Sequence, residues 1–181
     1  MMKPLTTKEK ILETARQLFW TRGYSNVSVR DITGAAGVDA ALVSRYFGGK
    51  QGLFEATLAV IPQWPALQAE PEHVIEEAVA SFSHPFDRDC EEANPFTMLL
   101  ANIIDPEMGD KIRDLVQTAL AEPLAEKLGG DKRHDHAAMV LSTLFGMALM
   151  RKNFRLHALK DLDTEEIRAR NNHLVQSALK F

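Results

Sequence analysis

The sequence predicts an all-α protein of about nine helices. Apolar residues recur at helical spacing along most of the 181 residues. The breaks between these runs hold the residues that start and stop helices: Ser, Thr, Asp or Asn before a run, and Gly or Pro after it. No segment shows the alternation that is typical of a strand. The composition, 45% hydrophobic and 25% charged, is that of a globular protein and excludes a disordered chain.

Four helices are predicted in the first third of the chain. The first two begin with a Thr or Ser that has an acidic residue three positions later, which is the spacing of a capping box. Glycine follows each of the first three helices, where a left-handed residue ends a helix, and proline follows the fourth. The expected starts are Thr6, Ser28, Asp39 and Lys50, and the expected ends are Gly23, Gly37, Gly48 and Ile61.

Five further helices are predicted beyond a proline-rich segment, 62–71, which we expect to be a hinge. Asn94 and Asp105 each precede a proline, an order typical of a capped helix start. The helix after Asp105 is expected to be kinked at Pro123, and Asp163 is expected to cap the last helix. The expected ranges are 71–83, 94–104, 106–128, 132–157 and 163–179, with a loop over 84–93.

Charge is unevenly distributed along the chain. Residues 1–53 carry eight basic and four acidic side chains, a net charge of +4, whereas the remainder carries −8. A basic N-terminal segment on an acidic body indicates that only this segment contacts a polyanion such as nucleic acid. The alternative is a chance difference between the two parts of a globular chain.

Several classes of protein are disfavoured by the composition. No run reaches the ~18 apolar residues of a membrane-spanning helix, and the N-terminus lacks the apolar core of a secretory signal. The single cysteine, Cys90, permits neither an internal disulfide nor a Cys-x-x-Cys metal site. Acidic residues beside Cys90 disfavour its thiolate and hence a nucleophilic role. We expect a reduced, cytoplasmic protein that does not contact a membrane.

Two motifs resemble phosphate- or metal-binding sequences but do not predict such a site here. Gly48-Gly49-Lys50 lacks the preceding strand and the leading glycine of a phosphate loop, so it indicates a helix boundary. His134 and His136 lie two positions apart, on different sides of a helix, whereas helical ligand pairs are commonly four apart. A helix start is the favoured interpretation, and a weak zinc or nickel site is the alternative. We therefore expect no enzyme, no cofactor and no metal.

Residues 28–47 have the spacing of a helix-turn-helix. Two short amphipathic segments flank a tight turn, and the preceding helix can brace them against a common core. The second helix of such a motif lies in the DNA major groove, and its outward side chains must approach base edges. The expected inward anchors are Val38, Val43 and Phe47, and the expected outward residues are Ala40, Ala41, Leu42, Ser44, Arg45 and Tyr46.

The first four helices also carry a set of residues whose types and spacing are distinctive. They are Ile11, Ala15, Leu18, Phe19, Gly23, Tyr24, Val29, Arg30, Asp31, Ile32, Ala36, Gly37, Val38, Tyr46, Phe47, Lys50, Leu53 and Phe54. In these residues, the segment 5–65 resembles the N-terminal DNA-binding domain of the TetR family of transcriptional regulators. Residues 66–181 are similar to the family's variable helical domain for effector binding and dimerisation. The resemblance implies a homodimeric repressor that a small effector releases from an inverted-repeat operator in double-stranded DNA.

The resemblance also implies which residues contact DNA. Val29 and Arg30 are expected to reach phosphate or a base from the start of the second helix, and Tyr46 and Lys50 to contact phosphate. Arg45 is expected to pair with guanine or with phosphate. The full set of implied contacts is Val29, Arg30, Ala40, Ala41, Leu42, Ser44, Arg45, Tyr46 and Lys50.

Two of these residues have a structural alternative, and two positions depart from the family pattern. Arg30 could instead pair with a surface carboxylate, and Tyr46 could be half-buried in the core with its hydroxyl in water. Asp39 stands where the family usually has Ser or Thr, which places a negative charge near phosphates. Ser44 stands where an aromatic residue is common. The operator sequence therefore does not follow by analogy.

The C-terminal half predicts a ligand pocket, with a packed core as the competing interpretation. An apolar or amphipathic effector is expected, and the polar groups that could orient it are Asn102 and His84. The candidate lining residues are Phe82, Phe96, Leu99, Ile103, Met139 and Met147.

A homodimer is expected from two apolar segments near the C-terminus. Residues 137–150 are apolar most of the way round the helix, so a second face requires cover. The last helix has an apolar side that includes Ile167 and Leu174. A four-helix interface, as in the family, would place two recognition helices about 34–36 Å apart. The alternative function is an α-helical small-molecule carrier or sequestering protein whose DNA-binding head is vestigial.

Overall fold

The computed structural model describes residues 4–83 and 93–180, and every regular element in these ranges is helical. Helix accounts for 74% of the structure, so the all-α prediction is confirmed. The helices are α1 (Thr7–Arg22), α2 (Val29–Ala36), α3 (Ala41–Phe47), α4 (Lys50–Leu58), α5 (Pro65–Gln68), α6 (Val74–Ser83), α7 (Pro95–Asn102), α8 (Gly109–Val116), α9 (Glu122–Leu128), α10 (Arg133–Lys152), α11 (His157–Lys160) and α12 (Thr164–Ala178). With α8 and α9 taken as one continuous helix, the described ranges hold eleven helices, nine of them seven residues or longer.

The described residues divide into two compact units. The first contains residues 4–62 and 93–113, and the second contains residues 63–83 and 114–180. The division does not follow chain order, because α7 packs against α1 in the first unit. Local sequence does not specify such a return of the chain, because it depends on contacts between residues far apart in sequence.

The first unit has an aromatic core around α1. Phe19 and Phe54 are fully buried, and their ring centroids lie 5.4 Å apart in an edge-to-face arrangement. Tyr24 stacks on Phe19 at 5.6 Å. Trp20 is also fully buried, and its indole N–H donates to the Thr57 hydroxyl at 3.1 Å. These contacts fix α1 against α4, and α2 packs on α1 beside them.

The attachment of α7 to α1 depends on one asparagine and one glycine. Asn102 is fully buried; its amide oxygen accepts from the Tyr24 N–H at 2.7 Å. Its amide nitrogen donates to the carbonyls of Phe19 at 3.1 Å and Met98 at 2.9 Å. Gly23 ends α1 as predicted, with φ +85°, and a Cβ there would lie 2.7 Å from the Ala101 carbonyl oxygen. The close approach of α7 therefore requires glycine at this position.

The second unit packs α6, α9, α10 and α12 around one apolar core. The expectation that 62–71 is a hinge rather than part of a core is wrong for the middle of this segment, although the division between the two units does fall between residues 62 and 63. Ala66 in α5 is fully buried, and Trp64 and Leu67 pack against the same cluster. Pro65 and Pro71, two of the prolines that suggested a hinge, each begin a short helix. Proline is tolerated there because the first N–H of a helix has no hydrogen-bond partner within the helix.

Several helix limits differ from those predicted. The helix expected from 106 begins at Gly109, because Asp105 Oδ1 accepts from the N–H groups of Glu107 and Met108 and forms a separate turn. The kink expected at Pro123 takes the form of a π-helical stretch, Gln117–Ala121, just before it. The helix expected to reach 157 ends at Lys152. The capping boxes predicted at Thr6, Ser28 and Asp163 are confirmed, and the loop predicted over 84–93 lies almost wholly outside the described residues.

Candidate nucleic-acid interface

Helix α2 is held at both ends by local interactions that the sequence predicted. The Ser28 hydroxyl accepts from the Asp31 N–H at 3.1 Å, and the Asp31 carboxylate accepts from the Ser28 N–H at 2.8 Å. Hydrogen bonds from the Ser28 hydroxyl and N–H hold the pKa of Asp31 below its usual range. Gly37 has φ +67°, so it ends the helix in the left-handed conformation. The turn into α3 is thereby fixed.

Asp39 stabilises the start of α3. Its Oδ1 accepts from the Ala41 N–H at 2.7 Å, while its backbone carbonyl accepts from the Leu42 N–H. The regular helix begins at Ala41, two residues after Asp39, because the first turn is tighter than an α-helical one. The predicted capping role of Asp39 is thus present in the form of an Asx turn. The carboxylate nevertheless stays exposed, beside the outer face of α3.

The sides of α3 differ sharply in exposure. Val43 is fully buried against the first unit, and Val38 and Phe47 are half-buried beside it. Most of the residues predicted to face outward are exposed, and Leu42 is the exception because it is half-buried. The exposed members are Ala40, Ala41, Ser44, Arg45 and Tyr46. The outer surface of α3 therefore consists of small side chains, followed by one arginine and one tyrosine.

The two arginines of the motif are exposed and have no ion pair with any described carboxylate. This holds for Arg30 at the start of α2 and for Arg45 on α3. The surface ion pair considered for Arg30 is therefore not found among residues 4–83 and 93–180. Arg45 lies beside Tyr46, with its guanidinium carbon 5.9 Å from the ring centroid. Val29, next to Arg30, is half-buried.

Lys50 and Tyr46 are more constrained than the sequence predicted. Lys50 is the first residue of α4 and is half-buried, with its Nζ 4.0 Å from the centroid of the Tyr24 ring. Tyr46 is 37% exposed and packs edge-to-face on Phe47 at 6.4 Å. Sequence reasoning missed Tyr24 as a partner of Lys50. The sequence feature that could have pointed to Tyr24 was its position as an aromatic residue directly after the glycine that ends α1.

The six residues predicted to line a ligand pocket divide three and three between the two units. Phe96, Leu99 and Ile103 lie in the first unit, where Phe96 is buried. The other three, Phe82, Met139 and Met147, lie in the second. Met139 is 44% exposed. Asn102, considered as a ligand-orienting group, makes all three of its hydrogen bonds to protein atoms of the first unit, and His84 lies outside the described residues.

Within the second unit, Phe82 belongs to an aromatic group that the sequence did not single out. Its ring lies 5.0 Å from that of Phe145 and 6.0 Å from that of Trp64. The Trp64 indole nitrogen is buried and has no hydrogen-bond partner in the described part of the chain. The three rings also pack against the apolar core of the second unit.

The remaining candidate motifs form no further site among the described residues. His134 lies in the first turn of α10, with its Nε2 3.1 Å from Glu122 Oε2. No group of three or more potential metal ligands that could hold an ion occurs in residues 4–83 and 93–180. In the same ranges, no helix has the length and apolar character needed to cross a membrane. Cys90 lies outside them.

These features define a class of helical proteins in which a helix-turn-helix is carried on one of two compact units. A family model described as bacterial regulatory proteins, tetR family, matches residues 11–57. A second, described as tetracyclin repressor-like, C-terminal domain, matches residues 65–179, more than half of the chain. The chain therefore belongs to the tetR family of bacterial regulatory proteins, and the resemblance inferred from the sequence is confirmed.

Individual relatives agree with this assignment. A probable HTH-type transcriptional regulator of Bacillus subtilis (strain 168), YttP, is 49% identical over 51 residues, which are 28% of this chain and 25% of that protein. The chain thus matches a quarter of the length of that curated relative. A TetR-family regulator from Streptomyces coelicolor A3 is 26% identical, with a TM-score of 0.59 and coverage of 97% of this chain and 95% of that one. A putative TetR-family transcriptional regulator from Rhodococcus sp. shares the fold, with a TM-score of 0.69, 16% identity and coverage of 96% and 98%.

Proposed function

We propose that this protein is a homodimeric repressor of transcription that binds an inverted-repeat operator in cytoplasmic DNA and is released by a small effector. The observation that carries the proposal is the outer face of α3. Ala40, Ala41 and Ser44 are exposed and short enough for the helix backbone to approach base edges, and Arg45 extends beyond them. Alanine methyl groups suit thymine methyls, and arginine suits guanine O6 and N7.

Groups that suit phosphate flank this face. Arg30 is exposed on α2 without a described acidic partner, Tyr46 is partly exposed on α3, and Lys50 lies at the start of α4. Phosphate contacts of this kind fix the register of a recognition helix while base contacts give the specificity. We assign the DNA-binding role to residues 5–65 and the effector and dimer roles to 66–181. The proposed contacts are Val29, Arg30, Ala40, Ala41, Leu42, Ser44, Arg45, Tyr46 and Lys50.

The homodimer is supported by exposed apolar side chains on the two long C-terminal helices. Met139 and Met150 on α10 and Leu174 on α12 are each more than a third exposed. Ile167, which the sequence placed on the same apolar side as Leu174, is fully buried in its own unit, so it is not available to a partner. Large apolar side chains exposed on a helix surface are candidates for cover by a partner. A two-fold interface through α10 and α12 would pair the DNA-binding units for two half-sites.

An apolar or amphipathic effector is supported by the aromatic group around Phe82. The rings of Trp64 and Phe145 supply apolar contact, and the unused Trp64 N–H supplies one donor. An effector releases DNA only to the extent that it binds the non-binding arrangement of the dimer more tightly than the DNA-competent one. Trp20→Phe leaves Trp64 as the single tryptophan, so an effector screen can follow Trp64 emission excited at a wavelength that tyrosine does not absorb.

The proposed function is tested by affinity selection of random duplex DNA with the purified protein at several salt concentrations. We expect one inverted repeat to be enriched and its affinity to fall steeply with salt. Arg45→Ala should reduce the enrichment strongly and relax the sequence preference at the base pairs that Arg45 contacts. Arg133→Ala is the matched control, because Arg133 is an exposed arginine of the second unit and should leave the enrichment unchanged.

Weak binding without sequence preference, unaffected by Arg45→Ala, would overturn the repressor proposal. The alternative of a small-molecule carrier with a vestigial DNA-binding head would then account better for the chain. Its effector site would be sought through Trp64 fluorescence alone.

A further inference from the structure

The ammonium group of Lys50 lies over the face of an aromatic ring rather than free in solvent. Its Nζ is 4.0 Å from the centroid of the Tyr24 ring, well inside the ~6 Å range of a cation–π contact. Tyr24 is only 4% exposed, and Lys50 is half-buried. The charge is therefore partly removed from water, and the ring that it contacts is fixed in the core.

The Tyr24 ring is held in place from within the first unit. It stacks on Phe19 at 5.6 Å and meets Phe54 edge-to-face at 5.3 Å. Both phenylalanines are fully buried. A ring held on two sides in a close-packed core keeps one orientation, so it presents one face to Lys50.

The backbone of Tyr24 is held by the last residue of α7 and by the turn that follows it. The Tyr24 N–H donates to Asn102 Oδ1 at 2.7 Å, and the next N–H, that of Ser25, donates to Asp105 Oδ2 at 3.0 Å. Burial raises the pKa of the Tyr24 hydroxyl, and the carboxylates of Glu107 and Asp105 raise it further, so the ring stays neutral. The segment around Asn102 and Asp105 therefore fixes where Tyr24 sits.

A fixed ring restricts the positions that the Lys50 ammonium group can occupy. A free lysine side chain samples many rotamers, and a DNA contact must offset that lost freedom. Contact with Tyr24 confines the ammonium near the first turn of α4, whose unpaired N–H groups also favour an anion. The Lys50 ammonium and these N–H groups can then bind one phosphate, with little loss of side-chain conformational entropy on binding.

We propose that Tyr24 is a positioning residue for DNA binding, whose ring holds Lys50 in the place where it meets a DNA phosphate. This inference rests on the proposed function, because it requires that Lys50 contacts DNA. The role of Tyr24 is indirect: it acts through Lys50 and touches no DNA itself. The end of α7 at Asn102 and the following turn at Asp105 hold the Tyr24 backbone for this role.

The test is a double-mutant cycle on affinity for the selected duplex, measured at several salt concentrations. Tyr24→Phe keeps the ring and should change affinity by less than about twofold. Tyr24→Leu removes the ring and should weaken binding about three- to tenfold. Lys50→Ala should weaken binding. It should also lower the slope of log affinity against log salt concentration by about one for each DNA-binding unit of the dimer. In the double variant, Tyr24→Leu should add nothing to Lys50→Ala.

Arg45→Ala supplies the matched control for the cycle, since Arg45 has no contact with Tyr24. The effects of Tyr24→Leu and Arg45→Ala should multiply. Tyr24→Leu could weaken binding by the same factor in the Lys50→Ala variant as in the unaltered protein. In that case Tyr24 acts only on the fold, and the proposal fails. If Lys50→Ala leaves the salt slope unchanged, Lys50 does not contact phosphate and the proposal fails too. Absence of selective binding by the unaltered protein would instead overturn the proposed function itself.

A second measurement avoids the risk that Tyr24→Leu does not fold. Ring current from Tyr24 should move the ε-methylene proton resonances of Lys50 upfield in the intact protein, and Tyr24→Phe should preserve that shift. Lys50 resonances at the positions of a solvent-exposed lysine, in both proteins, would show that the ring does not hold the side chain.

Discussion

Asp39 combines two effects that oppose each other in DNA binding. Its carboxylate accepts from the Ala41 N–H at 2.7 Å and so stabilises the start of α3, the proposed recognition helix. The same carboxylate places a negative charge beside the face that would approach phosphates. Ser, which the family usually has here, supplies the acceptor without the charge.

Asp39→Ser is therefore expected to raise DNA affinity about two- to fivefold, because it removes repulsion of roughly 0.5–1 kcal/mol between like charges near the surface. The free energy of unfolding should stay within about 0.5 kcal/mol, because the cap is retained. Asp39→Ala is the matched variant, and loss of the cap should cost about 1 kcal/mol. Titration of the selected duplex and urea unfolding measure the two quantities. Weaker binding by Asp39→Ser would mean that Asp39 accepts a hydrogen bond from a base, such as cytosine N4.

At the scale of residues, the sequence predicted what depends on local spacing. Ser28 with Asp31, and the glycine at 37, identified the limits of α2 because capping involves residues only a few positions apart. The exposure of Arg45 followed from helical periodicity. The partner of Lys50 did not, because Tyr24 is 26 positions away and meets Lys50 only once α1 and α4 have packed.

Among the elements, α7 shows where local patterns stop being informative. Its start was predicted from Asn94 and Pro95, and its capping box is present. Its docking on α1 was not predicted, because an apolar helix face fits many surfaces of similar shape. The available signal was Asn102, an amide within an otherwise apolar run. A buried amide requires partners, and here it binds the end of α1.

Asn102→Ala is expected to lower the free energy of unfolding by about 2–3 kcal/mol, because it leaves the buried Tyr24 N–H without an acceptor. Urea unfolding followed by circular dichroism measures the loss. Asn172→Ala is the control, since Asn172 is an exposed asparagine of α12 and should cost less than about 0.5 kcal/mol. A loss below that value for Asn102→Ala would show that α7 does not depend on this side chain.

For the whole molecule, the family assignment accounts for the order of the two matched domains along the chain but identifies no effector. The DNA-binding motif depends on a surface that must fit a duplex of constant shape, so its residues carry a recognisable pattern. An effector pocket has no such constant partner. Its apolar residues have the same spacing as a core, which is why Phe82 and Phe96 were predicted together although they lie in different units.

Leu174→Glu is expected to convert the proposed homodimer to monomers at micromolar concentration, because it places a charge in the apolar interface proposed for α12. Sedimentation equilibrium measures the change. Leu156→Glu is the matched control, since Leu156 is similarly exposed, at 46% against 41% for Leu174, but lies outside α10 and α12. Equal dimer stability in both variants would place the interface elsewhere.

The most direct test of the DNA-reading role proposed for α3 is the salt dependence of binding to the selected repeat by the unaltered protein and by Arg45→Ala. We expect a steep slope for the unaltered protein, and for Arg45→Ala a loss of discrimination between the selected repeat and scrambled duplex of roughly 1–3 kcal/mol for each head. Equal discrimination by both proteins would contradict the assignment of α3 as the recognition helix.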